Sequence, residues 1–522
     1  MKEDIIANLS FIRELKVVPR PTAMRYRDSK QPIRQIAQEL GVAYVHLGTV
    51  RKSGDKVRIT GTLMNGRSEE QLWMKPFEKN LTDQFAIQAA LATEIAGALS
   101  AVISPEAQKL IRRVPTENTV AYDKYLQARE SINAGEAAAE KQVTLLQDAV
   151  ALDRQFAVAW AWLAKVHGLE YLGNRDHSPE RLAKAKAAIN TAVRLAPDDP
   201  EVIWNLGYFY YHEGRDYTRV MEQLEWGERL QPGAAIWSFG FAAMERRMGK
   251  WIEALAHQRQ AAQLDPGNYD YALQVRDVAL AGRRFDEALV AQRRVAELRD
   301  TAALNAFTIA RLHFLQNGST RQLETFFSGE PPDGERSRRK TWAATVGNYA
   351  EAIRLDALAP ATGLAATFEI ALCLAANGDM AAARDRIAKL TPPLRERLKF
   401  EPENATVWGQ LGCSEAVLGS AEEARRCALK SVQFLPESVD TWMGPDRTND
   451  LAFVYAWIGD KNRAIAEYAR VLQTVGRRNG NVSFGAVPNV HVMKRHPAFF
   501  PLQGDPRFEA LLNDPKNNAP LF

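Results

Sequence analysis

Cysteine is scarce in this chain. Three residues in 522 (Cys373, Cys413, Cys427) exclude a disulfide framework and any cysteine-rich zinc module. They are expected to be small buried hydrophobes, with Cys413 and Cys427 on the two helices of one repeat. No run approaches the ~18–20 apolar residues of a membrane span, and the start MKEDIIANLSF lacks a signal-peptide core. The expectation is therefore a cytoplasmic chain without a membrane span. Charge of one sign is lacking too. The net charge is +4; residues 1–115 hold 18 Lys/Arg against 12 Asp/Glu, or +6, and the rest hold 49 against 51, or −2. That bias is too weak to argue for nucleic acid. Phosphate-binding glycine loops, metalloprotease histidine pairs and nucleophile elbows are all missing. The eight histidines are scattered, with His491 and His496 the nearest pair. Glu69–Glu70 and Glu422–Glu423 are chain neighbours and so do not face one another on a helix. No catalytic residue, cofactor or metal is expected, and the chain reads as no enzyme.

What is present is a period. Leu195–Ala196–Pro197, Leu230–Gln231–Pro232 and Leu264–Asp265–Pro266 recur at intervals of 35 and 34 residues, and Ala254 and Ala288 lie 34 apart. Leu206–Gly207 with Tyr210, Trp408 with Leu411–Gly412, Ala424, Ala428 and Pro436, and Leu451–Ala452 with Tyr455, Ala464 and Tyr468 supply the landmarks between. This pattern resembles the tetratricopeptide repeat, a helix-turn-helix unit that stacks on copies of itself. The resemblance implies small residues (Gly207, Ala254, Ala288, Gly412, Ala424) where helices approach. It puts large ones (Trp160, Leu206, Trp408, Leu411) between neighbouring pairs. Proline ends each unit because it lacks an N–H and restricts the residue before it. A stack of about eight or nine pairs accounts for the length, each buried only by its neighbours.

Residues 1–100 lack the repeat, and the region to about 115 reads as a small α+β domain. Ile5 to Leu15 predicts an amphipathic helix, Leu15 to Val18 a short strand ended by Pro19 and Pro21, and Ile33 to Leu40 a helix stopped by Gly41. Val42 to Arg51 and Lys56 to Met64 predict a hairpin turning at Ser53–Gly54–Asp55, with Gln71 to Trp73 as a third strand. Asp83 to Ile103 is a long helix with apolar residues at 85, 87, 91, 95 and 98. The string IRQIAQELGVAYVHLGTVRKSGDKVRITGTL, followed by QLW and LTDQFAIQAALATEIAGAL, resembles the TolB-like amino-terminal domain of bacterial regulators. The matching residues include Gly41, Gly48, Val50, Arg51, Gly54, Val57, Arg58, Ile59, Leu63, Trp73, Phe85 and Gln88. In such proteins the domain precedes tetratricopeptide repeats and follows a winged helix, a serine/threonine kinase or an adenylate cyclase domain. The family's first strand, ahead of residues 3–12, is missing here, as is an effector domain.

The fold expected is thus mainly α: a TolB-like domain at 1–115 truncated at its first strand, then an α-α superhelix. Repeats occupy 118–327 and 341–480, a flexible proline- and charge-rich insertion lies at 328–340, and 481–522 forms a cap. Phe499, Phe500, Leu502, Phe508 and Leu511 are expected to cover the last repeat. The loop Leu172 to Pro179 lengthens one repeat to about 43 residues. The groove of such a stack is lined by first helices at roughly their second, fifth, ninth and twelfth positions. That count selects Trp204, Tyr208 and Tyr211, then Phe239, Arg246 and Arg247, as candidates to bind a protein or peptide segment. The expected role is a protein-interaction scaffold or sensor in bacterial signalling. One alternative is the regulatory part of a kinase, cyclase or winged-helix regulator whose effector lies outside this chain, as a truncated reading frame would leave it. The other is a cell-envelope component. The ligand, the pathway and the oligomeric state are not legible.

Overall fold

The computed structural model describes residues 2–53, 56–80, 84–130, 136–172, 176, 178–299, 301–329, 335–476 and 488–522. It divides into two units: Met1–Met244 with His257–Asn268, and Glu245–Ala256 with Tyr269–Phe522.

The first unit opens with a three-stranded antiparallel meander, β1 (Tyr44–Ser53), β2 (Lys56–Asn65) and β3 (Gln71–Asn80), in the order β1-β2-β3. β3 runs well past the expected Gln71–Trp73 and includes Pro76, opposite Thr60. A missing N–H is tolerated there because β3 is an edge strand. The helix Gln84–Ala98 packs on the sheet through Ile87, Leu91 and Ile95, against Ile59, Trp73 and Phe77. Gly61 permits that approach, since a Cβ there would lie 2.9 Å from side-chain atoms of both Leu91 and Trp73. The helix Ile33–Leu40 ends at Gly41 in the left-handed region (φ 63°), as its sequence predicts. The expected strand at Leu15 to Val18 does not form. Leu15 and Val17 instead pack as irregular chain around the Ile87–Ile95 core, burying apolar side chains without a ladder partner. The first helix is shorter than expected, Lys2–Ser10, and the turn residues 54 and 55 lie outside the described residues.

Helix pairs follow. The first pair is Thr119–Glu130 with Glu136–Leu152, the second Ala157–Leu172 with Pro179–Leu195, and the third Pro200–Gly214 with Tyr217–Leu230. The fourth, Ala235–Glu245 with Trp251–Leu264, is shared between the units. Leu195, Leu230 and Leu264 each end a second helix, which is where the Leu-x-Pro landmarks place them. Starts are equally local. Asp199 accepts from the backbone N–H groups of Glu201 and Val202 ahead of Pro200, and Ser178 accepts from Arg181 ahead of Pro179; both are N-caps with proline in the first turn. The close approach assigned to Gly207 is not required, because a Cβ there would meet Gln223 and Val220 at ordinary distances of 3.5 and 3.7 Å. A tighter place is Gly227, where a Cβ would collide with the buried ring of Trp237.

In the second unit, pairs five to ten begin at Tyr269, Ala302, Arg336, Leu364, Ala405 and Gly444. The described helices make ten pairs rather than the eight or nine expected. The unit boundary near residues 244–269 differs from the expected division at 328–340. Residues 330–334 lie outside the described residues, but 336–340 belong to the helix Arg336–Val346. The basic run there is held from within: Lys340 is buried, donating to Asp356 at 3.2 Å and to the Ala359 carbonyl at 2.7 Å, and Arg339 pairs with Glu351 at 2.9 Å. Cys413 and Cys427 sit fully buried on the two helices of pair nine.

Phe499 and Phe508 pack on Tyr468 of pair ten with ring centroids at 5.2 and 6.4 Å. Phe500, by contrast, is exposed, because the 3-10 turn Pro497–Leu502 points it away. The carboxy-terminal segment reaches further than a cap on the last repeat. Asn489 donates to the Leu315 carbonyl and Asn518 to the Gln316 carbonyl, while the Arg495 carbonyl accepts from Tyr349. His491 packs beside Gly318, and His496 lies 3.4 Å from Glu369.

Candidate functional site

The first helices of pairs one to three bring together a row of aromatic and cationic side chains. Arg129, on the first of these helices, lies over the Tyr125 and Trp162 rings at 5.5 and 5.1 Å from their centroids. Lys165, on the second, lies 4.4 Å from the Trp162 ring and 5.5 Å from that of Tyr208 on the third. Cations and rings therefore alternate across three successive helices, each contact favoured by the negative ring face. Trp204 continues the row, 6.3 Å from Tyr208 and 5.8 Å from Trp237.

One carboxylate organises the row. Oε1 of Glu201 accepts from the Tyr125 hydroxyl at 2.9 Å and from Trp162 Nε1 at 2.5 Å, with Arg129 Nη1 at 3.9 Å. Glu201 stands in the first turn of its helix, behind Asp199 and Pro200, where the helix dipole favours a negative charge. Asp199 is itself paired with Arg113 at 2.8 Å. Burial raises the Asp199 carboxyl above its ordinary value, and Arg113 opposes the rise. Burial, with Glu201 beside it, pushes the Tyr125 hydroxyl well up, so it stays a donor. Burial also lowers Lys165 below the usual lysine value; Glu201 pulls it back and Arg129 adds to the fall. A desolvated ammonium resting on two rings interacts strongly with any anion placed beside it.

Two buried histidines stand on the same helices as the row. His212 is buried against Gly168, with the Tyr208 ring 4.7 Å away, and burial brings its pKa down to about 4. His167, 3.0 Å from Arg181, is brought to about 4 by burial and then by Arg181. Both imidazoles are therefore uncharged at neutral pH. Among the described residues no group of three or more His, Cys, Asp or Glu is placed to hold a metal ion, and no helix is long and apolar enough to cross a membrane.

The six sequence-selected residues fall in different places. Trp204 and Tyr208 are half-buried neighbours in the row. Tyr211 turns away from it and stacks on Tyr217 at 6.3 Å. Phe239 is half-buried on the first helix of pair four. Arg246 and Arg247 belong to the second unit. There Arg246 lies over the Trp442 ring at 4.5 Å and donates to Gln274 at 2.5 Å, and Arg247 is 3.7 Å from Asp440. Arg129, Trp162 and Lys165 were not selected, although a signal for two of them exists. Arg129, Lys165 and Tyr208 occupy the same ninth position in successive first helices, and the 43-residue step from Lys165 to Tyr208 is the lengthened repeat. Carrying the count back through that irregular repeat recovers both cations.

No family model matches the chain. A protein named putative adenylate cyclase 3, from Rhizobium meliloti (strain 1021), is 26% identical over 201 residues. The match takes in 38% of this chain and 34% of that protein, so the chain spans about a third of the length of the relative it matches. Two solved structures have similar helices. A thermophilic TPR protein of Thermus thermophilus is 18% identical with a TM-score of 0.32, over 37% of this chain and 99% of its own. PilF of Pseudomonas aeruginosa is 17% identical with a TM-score of 0.31, over 41% of this chain and 94% of its own. The tetratricopeptide-like architecture rests on the chain's own helix pairs: a mainly helical protein with a small amino-terminal sheet followed by stacked repeats.

Proposed function

We propose that this chain is a non-enzymatic protein-interaction module of bacterial signalling, binding an extended peptide along the first helices of pairs one to three. The observation that carries this reading is the alternating row Arg129, Trp162, Lys165 and Tyr208. Aromatic side chains and arginine are the residue types that anchor peptide interfaces. Two cations around the single carboxylate Glu201 favour a ligand of negative charge, and Trp204 offers an apolar neighbour for it. Panning a random peptide library against the intact chain tests this. Enriched peptides should be acidic and should lose at least tenfold in affinity to a Lys165→Glu variant with an unchanged melting temperature. Peptides that bind that variant equally would remove the site from this face.

A second reading has its own support. The resemblance of residues 1–115 to the TolB-like domain and the partial match to a putative adenylate cyclase both favour the regulatory part of a larger signalling enzyme. In that reading the same row would hold a segment of the effector. Recombinant effector domains encoded upstream of this sequence, titrated against the chain, distinguish the two readings.

A further inference from the structure

A second peptide contact lies within the second unit and is independent of the row described above. Residues 519–522 run beside the turn that joins the helices of pair five. Leu521 donates its N–H to the Gly282 carbonyl at 3.0 Å. Arg283 Nη1 donates to the Ala519 carbonyl at 3.3 Å and Arg284 Nη1 to the Phe522 carbonyl oxygen at 3.0 Å. The Phe522 ring fills the space that a Cβ on Gly282 would occupy, stacks on Trp251 at 6.4 Å and lies under Arg284 at 5.8 Å. We propose that Trp251, Gly282, Arg283 and Arg284 form a docking notch for an extended apolar segment bearing an aromatic side chain, and that residues 519–522 occupy it in cis.

The receptor side is built and the occupant is shallow. Arg283 is 1% exposed and holds a left-handed backbone (φ 56°), a conformation that persists in a non-glycine residue only where its surroundings enforce it. Its other guanidinium nitrogen, Nη2, donates to the Leu472 carbonyl, which fixes the fork. Ala519 and Pro520 are exposed, Leu521 and Phe522 only half-buried, and neither of the last two belongs to the unit's apolar core. A segment held by a few surface hydrogen bonds and one ring opens far more readily than the core beneath it. The chemistry of the ligand follows from the seated segment. The Gly282 carbonyl and the two guanidinium groups read backbone groups that any extended peptide offers, and the glycine notch against Trp251 selects a flat ring.

The probe is a fluorescein-labelled peptide copying residues 515–522, titrated against full-length chains by fluorescence anisotropy. A Phe522→Ala chain, its own occupant weakened, should bind the probe at least tenfold more tightly than the unaltered chain. Adding Gly282→Val should abolish that binding by filling the notch. Equal binding by the unaltered and Phe522→Ala chains, or binding that survives Gly282→Val, would overturn the proposal. Should either variant fail to fold by circular dichroism, hydrogen exchange on the unaltered chain decides instead. Amides of 515–522 should exchange at least a hundredfold faster than those of Lys461–Leu472, and exchange at the same rate would overturn it.

Discussion

The two units are built from the same helix pairs but place their polar groups differently. In the first, Arg129 and Lys165 rest on rings contributed by neighbouring pairs, with one carboxylate among them. In the second, several charged groups are buried and paired with one another. The helix Gly444–Trp457 buries its entire polar run from Asp446 to Asp450, Thr448 donates to Glu437 at 2.6 Å, and Lys340 and Arg386 share Asp356. The second unit also ties distant parts of its own chain together. Thr441 donates from N and Oγ1 to the carbonyls of Arg247 and Arg246, and the carboxy-terminal segment spans pairs five to ten. The two units thus differ in chemistry: cation–ring contacts run along the first helices of one, and buried ion pairs and hydrogen bonds tie the other together.

The largest expected effects test the internal wiring of each unit. Replacing Asp356 by Ala leaves Lys340 buried and Arg386 without its carboxylate. Breaking such a buried pair costs about 3–5 kcal/mol, and the second unit should melt well before the first in calorimetry. The corresponding change in the first unit is Trp237→Ala. Trp237 is 1% exposed beneath Gly227 and Trp204, and losing it should cost about 3–5 kcal/mol and reverse the order of melting. A single unchanged transition in either variant would mean that the two units do not unfold separately.

Acid should separate the units by a smaller margin. His167 and His212, both in the first unit, have pKa values of about 4, against 6.5 when unfolded. Between those values the unfolded state binds more protons, so stability falls as pH drops from 6.5 to 4 and is flat above about 7. The loss is on the order of a few kcal/mol for the pair. In the second unit His491 is lowered in the same direction by its burial, so the first unit should lose more. His167→Gln and His212→Gln together should shrink the pH dependence of the first transition, leaving the share of His46, which burial also brings down to about 4 in the same unit. The smallest expected effect is that of Lys165→Ala on stability, within about 1 kcal/mol, because its contacts are cation–ring contacts worth about that much; a larger loss would make it a structural residue.

Much of this architecture is legible in the sequence because repeats announce themselves through local rules. Leu195, Leu230 and Leu264 end helices because the prolines two residues on forbid continuation, and Gly41 stops its helix because only glycine takes the left-handed turn there without strain. What was not legible depends on distant partners. The run Arg336–Lys340 reads as the end of a flexible insertion until Asp356 and Glu351 are known to face it. Gly207 reads as a close contact, whereas Gly227, which nothing local marks, is where a Cβ would collide. In the site, Trp204 and Tyr208 follow from position counting. Arg129 and Lys165 escape it because the repeat between them and Tyr208 is lengthened, and position counting gives no sign that Arg246 and Arg247 belong to the second unit.

In the proposed function the first unit, and not the second, presents its first helices to a ligand. Hydrogen exchange of the intact chain with and without a library-selected peptide tests it most directly. Added protection should concentrate in Thr119–Glu130, Ala157–Leu172 and Pro200–Gly214 and be lost in a Lys165→Glu variant. Protection confined to Leu364–Ala376 and Gly444–Trp457 would contradict it.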